Sequence, residues 1–205
     1  WDGVKWKLSP YARIIYKSPS RKTYGESNLG IYRAYYNGST ILTDSLKNSQ
    51  FNKYGYLSDS LQMLILNKMQ ETIDSGYIKL PPNELTPLVI YVGMNIEREI
   101  LRLLQKYDFT KDIPKLIILD VIEDTFSKVE CIQLVLYNLL GFDLIVYTPT
   151  GYKNIETFVS ENAFETHTMN EFKYNVHVPK FKIPDTVPEQ KDSGLFGKLF
   201  RKGRK

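Results

Sequence analysis

Three short apolar runs in the middle of the chain constrain its fold more than any other feature. They are Leu88-Val89-Ile90-Tyr91-Val92, Lys115-Leu116-Ile117-Ile118-Leu119 and Asp143-Leu144-Ile145-Val146-Tyr147. None alternates apolar with polar, which is the pattern of strands covered on both faces. Helical segments separate them. Ile96, Ile100, Leu103, Leu104 and Tyr107 keep helical spacing behind Asn95, a capping residue, with Glu97 and Glu99 near the positive end. Ser127-Lys128-Val129-Glu130 has the form of a capping box and opens a helix that runs to Leu140, where Gly141 stops it. Strand, helix, strand, helix, strand at these lengths predicts parallel pairing through right-handed crossovers. The expected class is α/β: a Rossmann-like three-layer domain with a parallel sheet, plus a less regular N-terminal segment. The helix at 127–140 is apolar nearly all round, so another element should cover its outer side.

The rest of the chain divides around this core. Residues 1–57 form a basic, Tyr-rich N-terminal segment expected to pack on the main domain. Within it Tyr11–Tyr16 reads as a short strand, and Ile31–Tyr36 and Thr40–Thr43 flank the hairpin signal Asn37-Gly38. Residues 58–178 are the α/β domain. It opens with a helix capped by Ser58 or Asp59, carrying Leu61, Leu64, Ile65, Met69 and Ile73 on one face and ending at Ser75-Gly76. Leu80-Pro81-Pro82-Asn83 reads as a rigid connector, and Phe172–Val178 alternates like an edge strand. Residues 179–205 are a Pro-rich linker and a basic tail. The chain begins at Trp1 rather than Met, and the expectation is a downstream part of a longer protein.

Composition narrows the function classes. A single cysteine, Cys131, excludes an intramolecular disulfide framework and a cysteine-rich zinc site, and points to a reducing cytoplasm. His167 and His177 leave little for histidine-based chemistry, and each reads as a surface or strand-face residue. Cys131 lies in an apolar helix and reads as a small core residue. The formal net charge of +4 hides an uneven distribution. Residues 1–57 hold 9 Lys/Arg against 3 Asp/Glu, residues 58–179 hold 10 against 17, and residues 180–205 hold 8 against 3. Basic ends around an acidic middle argue against nucleic acid as a partner, and no nucleic-acid module is present. The basic, tyrosine-bearing first segment is better explained by packing than by base stacking.

In an open α/β sheet, ligands bind outside the carboxyl ends of the strands. Three loops would meet that edge: Gly93-Met94-Asn95, Asp120 to Ser127, and Thr148 to Asn154. Gly93 and Asn95 would put backbone amides at a helix start, favouring an anion. Asp120 ends a buried strand, and Asp120, Glu123 and Asp124 crowd one loop with oxygen ligands of the kind that suit magnesium. Carboxylates ahead of a helix also complement its dipole, which is the plainer explanation. The run from Thr148 to Glu156 is the most distinctive. Gly151 permits positive φ, and Thr148, Thr150, Tyr152 and Lys153 could grip a phosphate or sugar, with Glu156 placed to neutralise Lys153. The expected partner is therefore a phosphorylated or nucleotide-like small molecule.

Asn138 to Glu156, Tyr107 to Asp120 and Gly194 to Phe200 together resemble the YceG-like family of Gram-positive bacteria. This family is distinct from the membrane-bound lytic transglycosylase that shares the name. The resemblance implies a component of a biosynthetic module encoded beside tellurite-resistance and general-stress proteins, with other proteins of that stress operon as partners. Two functions follow as expectations: an α/β unit binding a nucleotide-like or phosphorylated metabolite, in one version glycosyltransferase-like, or a non-catalytic interaction module of the stress machinery. In the tail, Leu195, Phe196, Leu199 and Phe200 share a helical face flanked by Lys198, Arg201 and Lys202. That pattern suits weak peripheral contact with the inner face of an anionic membrane.

Overall fold

The computed structural model describes residues 12–14, 26–106, 113–120, 126–174 and 176. The tail from Gly194 to Lys205, His177, Tyr107, Glu123 and Asp124 lie outside the described residues.

The elements run β1 (Ala12–Ile14), a 3-10 helix (Glu26–Tyr35), β2 (Tyr36–Asn37), β3 (Thr40–Ile41) and α1 (Thr43–Lys47). They continue with α2 (Asp59–Asp74), α3 (Pro82–Gly93), α4 (Arg98–Lys106), β4 (Lys115–Leu119), α5 (Lys128–Leu139) and β5 (Asp143–Tyr147). Short 3-10 turns at Ile155–Thr157 and Glu161–Ala163 follow. The chain is a mixed helix and strand protein with a small parallel sheet of order β1-β4-β5. Lys115 pairs with Asp143 and Leu119 with Tyr147 at the two ends of the β4–β5 ladder. Asn37-Gly38 turns the two-residue hairpin β2–β3, with Gly38 at φ +60°.

The main correction concerns Leu88–Val92. It is not a strand but the second half of α3, a helix buried at Leu85, Leu88, Val89, Ile90 and Val92. An apolar run of five reads alike as a covered strand or as a helix enclosed on all sides. Packing decides here, because α3 lies against α2, α5 and the 3-10 helix. Pro81 and Pro82 are its start, not a connector: Pro82 occupies the first turn, where its missing N–H costs nothing. Ile31–Tyr35, expected as strand, belongs to the 3-10 helix. Residues 172–174 form no strand.

The expected caps are present at both long helices. The Ser58 side chain accepts from the Leu61 amide, and Ser127 and Glu130 form the reciprocal capping box. Helix α5 is the crossover between β4 and β5, and it is covered by α2 and α3 as well as by the sheet. That is why Cys131, Ile132, Val135, Leu136 and Tyr137 are all buried.

The sheet is covered unequally among the described residues. Leu116 and Ile118 of β4 are buried in the helical core, while Ile145 and Tyr147 of β5 are 36% and 44% exposed. Coverage of both strand faces, the expectation from the unbroken apolar runs, does not hold at β5. Tyr32 meets the Phe51 ring edge-on at 5.1 Å, and Tyr54 is buried. These two tyrosines of the N-terminal segment pack into the core. No helix among the described residues is long and apolar enough to cross a membrane.

Candidate functional site

The two parallel strands β4 and β5 end side by side, and the chain leaving β5 folds back across their carboxyl ends. Asp120 follows β4 directly, and its amide donates to the Tyr147 carbonyl at 2.8 Å, extending the ladder one step. Its side chain is almost wholly enclosed, at 1% exposure. The carboxylate accepts from the Asn154 side-chain amide (Nδ2 to Oδ2, 2.5 Å), and the same nitrogen lies 3.4 Å from the Thr148 hydroxyl. A buried carboxylate demands strong donors, so Asp120 and Asn154 fasten the loop to the end of the sheet.

The loop itself is well anchored. The Gly151 amide closes a turn onto the Thr148 carbonyl at 3.0 Å, with Gly151 at φ +70°. Phe172 lies against Gly151 so closely that any Cβ there would fall 2.2 Å from its ring. Gly151 is thus required twice over, for its φ and for its lack of a side chain. The Lys173 amide donates to the Pro149 carbonyl at 2.8 Å. On the far side the Asn154 amide donates to Glu156 (2.8 Å), and Lys79 reaches the Glu156 carbonyl at 2.8 Å. Glu156 therefore steadies the turn after the loop, with no ion pair to Lys153. Thr148 and Thr150 are half-buried, whereas Gly151, Tyr152 and Lys153 are exposed.

Gly93 and Asn95 do not join this loop. Because residues 88–92 are helical, they stand at the end of a helix, not of a strand. Gly93 backs onto Met69, and its carbonyl accepts from the Tyr54 hydroxyl at 2.8 Å. Asn95 donates back to the Tyr91 carbonyl and accepts from Lys53, so it finishes α3 instead of capping α4. Among the described residues, no three His, Cys, Asp or Glu side chains converge as a metal site. His167 is exposed, 3.7 Å from the Glu165 carboxylate.

Four contributors went unnoticed in the sequence. Asn154 carries the fastening amide, and its only local signal is that its side chain also caps the short turn at Ile155. Lys79 comes from the connector between α2 and α3, next to the isolated Ile78–Val159 bridge, and nothing local marks it. Gln133 and Tyr137, buried partners on α5 at 2.7 Å, looked like ordinary positions of an apolar helix.

Burial pushes the Cys131 thiol up to about 12, helped by the charges of Glu130 and Glu156. Burial also raises the phenols of Tyr54 and Tyr137. These groups lose their protons more readily in the unfolded chain than in the folded one. The stability they confer is therefore whole below about pH 9, the ordinary thiol value, and declines as pH climbs toward 12. Urea midpoints measured from pH 7 to 11 should fall above about pH 9. The native thiol should also resist Ellman's reagent at pH 8, reacting only on denaturation. A rapidly titrating native thiol would contradict this placement.

The fold and the loop together define a helix-rich α/β chain with a small parallel sheet and an anchored turn at its carboxyl edge. It matches the YceG domain family over residues 16–191, and the chain belongs to that family. A relative is the "Uncharacterized protein YceG" of Bacillus subtilis (strain 168), 26% identical over 94 residues. That alignment covers 45% of this chain and 17% of the relative, so this chain corresponds to a minor part of the relative's length. No solved structure matches the chain significantly.

Proposed function

We propose that the Thr148–Lys153 loop grips the phosphate of a phosphorylated or nucleotide-like metabolite. One observation carries the reading. The backbone amides of Thr150, Tyr152 and Lys153 take no hydrogen bond among the described residues, on a loop otherwise tied down at Thr148, Pro149, Gly151 and Asn154. Unpaired amides beside two hydroxyls and an exposed lysine favour an anion. Asp120 serves this site by holding Asn154. Magnesium would arrive on the ligand's phosphates, with Glu123 and Asp124 as further oxygen donors. A nucleotide sugar, as in a glycosyltransferase-like reaction within a stress-linked biosynthetic module, is one ligand of this class. The Rossmann-like three-layer arrangement belongs to the same proposal.

Isothermal titration with pyrophosphate, ADP and a nucleoside-diphosphate sugar, with and without magnesium, tests it. Lys153→Ala should weaken binding about tenfold, the worth of one charge-assisted hydrogen bond. No binding of any of the three, or equal affinity in the variant, overturns the reading.

A second reading, a non-catalytic interaction module of the same machinery, is favoured by the exposed side chains of Tyr147, Tyr152, Phe172 and Tyr174 around the loop. Under it, Lys153→Ala leaves function in the cell intact while Tyr174→Ser abolishes it.

A further inference from the structure

The sheet turns one face to the helices and leaves the other outside the core. Leu116 and Ile118 of β4 belong to the core, and Leu144 and Val146 of β5 pack against it. Their neighbours along each strand point the opposite way. In the parallel register Ile117 stands beside Ile145 and Leu119 beside Tyr147, so four apolar side chains form a strip on that outer face. Ile145 and Tyr147 are exposed. Tyr147 ends the strip on the side of the loop, and no ring lies against it among the described residues. At the other end the strip stops at the ion pair of Lys115 and Asp143. We propose that the loop's ligand is a nucleotide whose base stacks on the ring of Tyr147 while its phosphate sits on the Thr148–Lys153 loop, an assignment that rests on the phosphate reading of that loop.

The size and chemistry of the strip select a base. Two residues along a strand advance about 7 Å, and adjacent strands lie about 4.8 Å apart, so the apolar surface suits one ring system. A long acyl or prenyl chain would run past its end onto Lys115 and Asp143, costing both charges part of their hydration. A bare sugar would bring hydroxyls that need partners, and among these four side chains only the Tyr147 phenol offers one. A base needs just the π-face and the aliphatic surface beside it. The reach from ring to loop also agrees. Tyr147 and Thr150, whose amide takes no hydrogen bond among the described residues, are three positions apart, at most about 11 Å of chain. The turn closed by the Gly151 amide on the Thr148 carbonyl shortens that span. A ribose joins base and phosphate over such a distance.

The test compares AMP with ribose 5-phosphate, which lacks the base, and with pyrophosphate, which lacks the ribose as well. On the full chain AMP is expected to bind about tenfold tighter than ribose 5-phosphate, the effect of one stacked base. Its ring current should shift the methyl resonances of Ile145 and Leu119, which the other two probes leave in place. Tyr147→Leu, which keeps the apolar surface and loses the ring, should erase most of the advantage of AMP, and Tyr147→Phe should retain it. Equal affinity for AMP and ribose 5-phosphate, AMP binding without those methyl shifts, or an undiminished advantage in Tyr147→Leu would each overturn the base assignment and leave the phosphate loop standing. Failure of all three probes to bind would overturn the loop reading and this one with it. The comparison of the probes on the unsubstituted chain decides the matter even where a variant fails to fold.

Discussion

Leu136→Ala is expected to destabilise the protein by about 3–4 kcal/mol, the range for emptying a fully enclosed leucine site. Leu136 is wholly inaccessible to solvent, on a helix that touches α2, α3 and the sheet together. With packed elements on several sides, no single neighbour can move in to close the space, which places the cost toward the upper part of the range. For a chain of this size the melting temperature should fall by roughly 10 °C. Urea unfolding of the variant measures it. A loss under about 1 kcal/mol would mean that α5 is not the centre of the core.

Asn154→Leu should cost about 2–3 kcal/mol, because it removes one hydrogen-bond donor from a buried carboxylate. The same change frees the loop, so any affinity for pyrophosphate should go with it. A double-mutant cycle separates the pair from its surroundings. If the loss comes from the weakened pairing of the buried Asp120 carboxylate, Asp120→Leu together with Asn154→Leu should recover part of it, since two matched apolar groups leave no charge to pair. A single variant as stable as the parent would show that these two residues do not fasten the loop.

What the sequence made legible was local. Ser58, the Ser127–Glu130 box and Gly141 specify helix ends through neighbouring atoms, and the Asn37-Gly38 turn needs only its own backbone. Strands β4 and β5 were likewise readable as apolar runs closed by Pro114 and Gly141 on their N-terminal sides. Leu88–Val92 was not, because its conformation is decided by the helices around it. The better clue was Pro82, which sits well at a helix start and leaves the twelve residues to Gly93 as one turn-forming unit. Reading that run as a strand carried Gly93 and Asn95 into the wrong neighbourhood. At the loop, Thr148, Gly151 and Lys153 stood out by residue type, whereas Asn154 and Lys79 act through partners 34 and 77 positions away. Such pairings leave no mark in a single sequence.

The strand pairing also sets a schedule for folding. β1 pairs with β4, and roughly a hundred residues of chain separate the two partners. The helices between them need no such wait, since α2 and α3 meet across a short connection. Closing so long a loop for three paired residues returns little until the helical platform already holds the ends near each other. The helical half therefore gathers first, and β1 joins the sheet last, as the final seam of the assembled molecule.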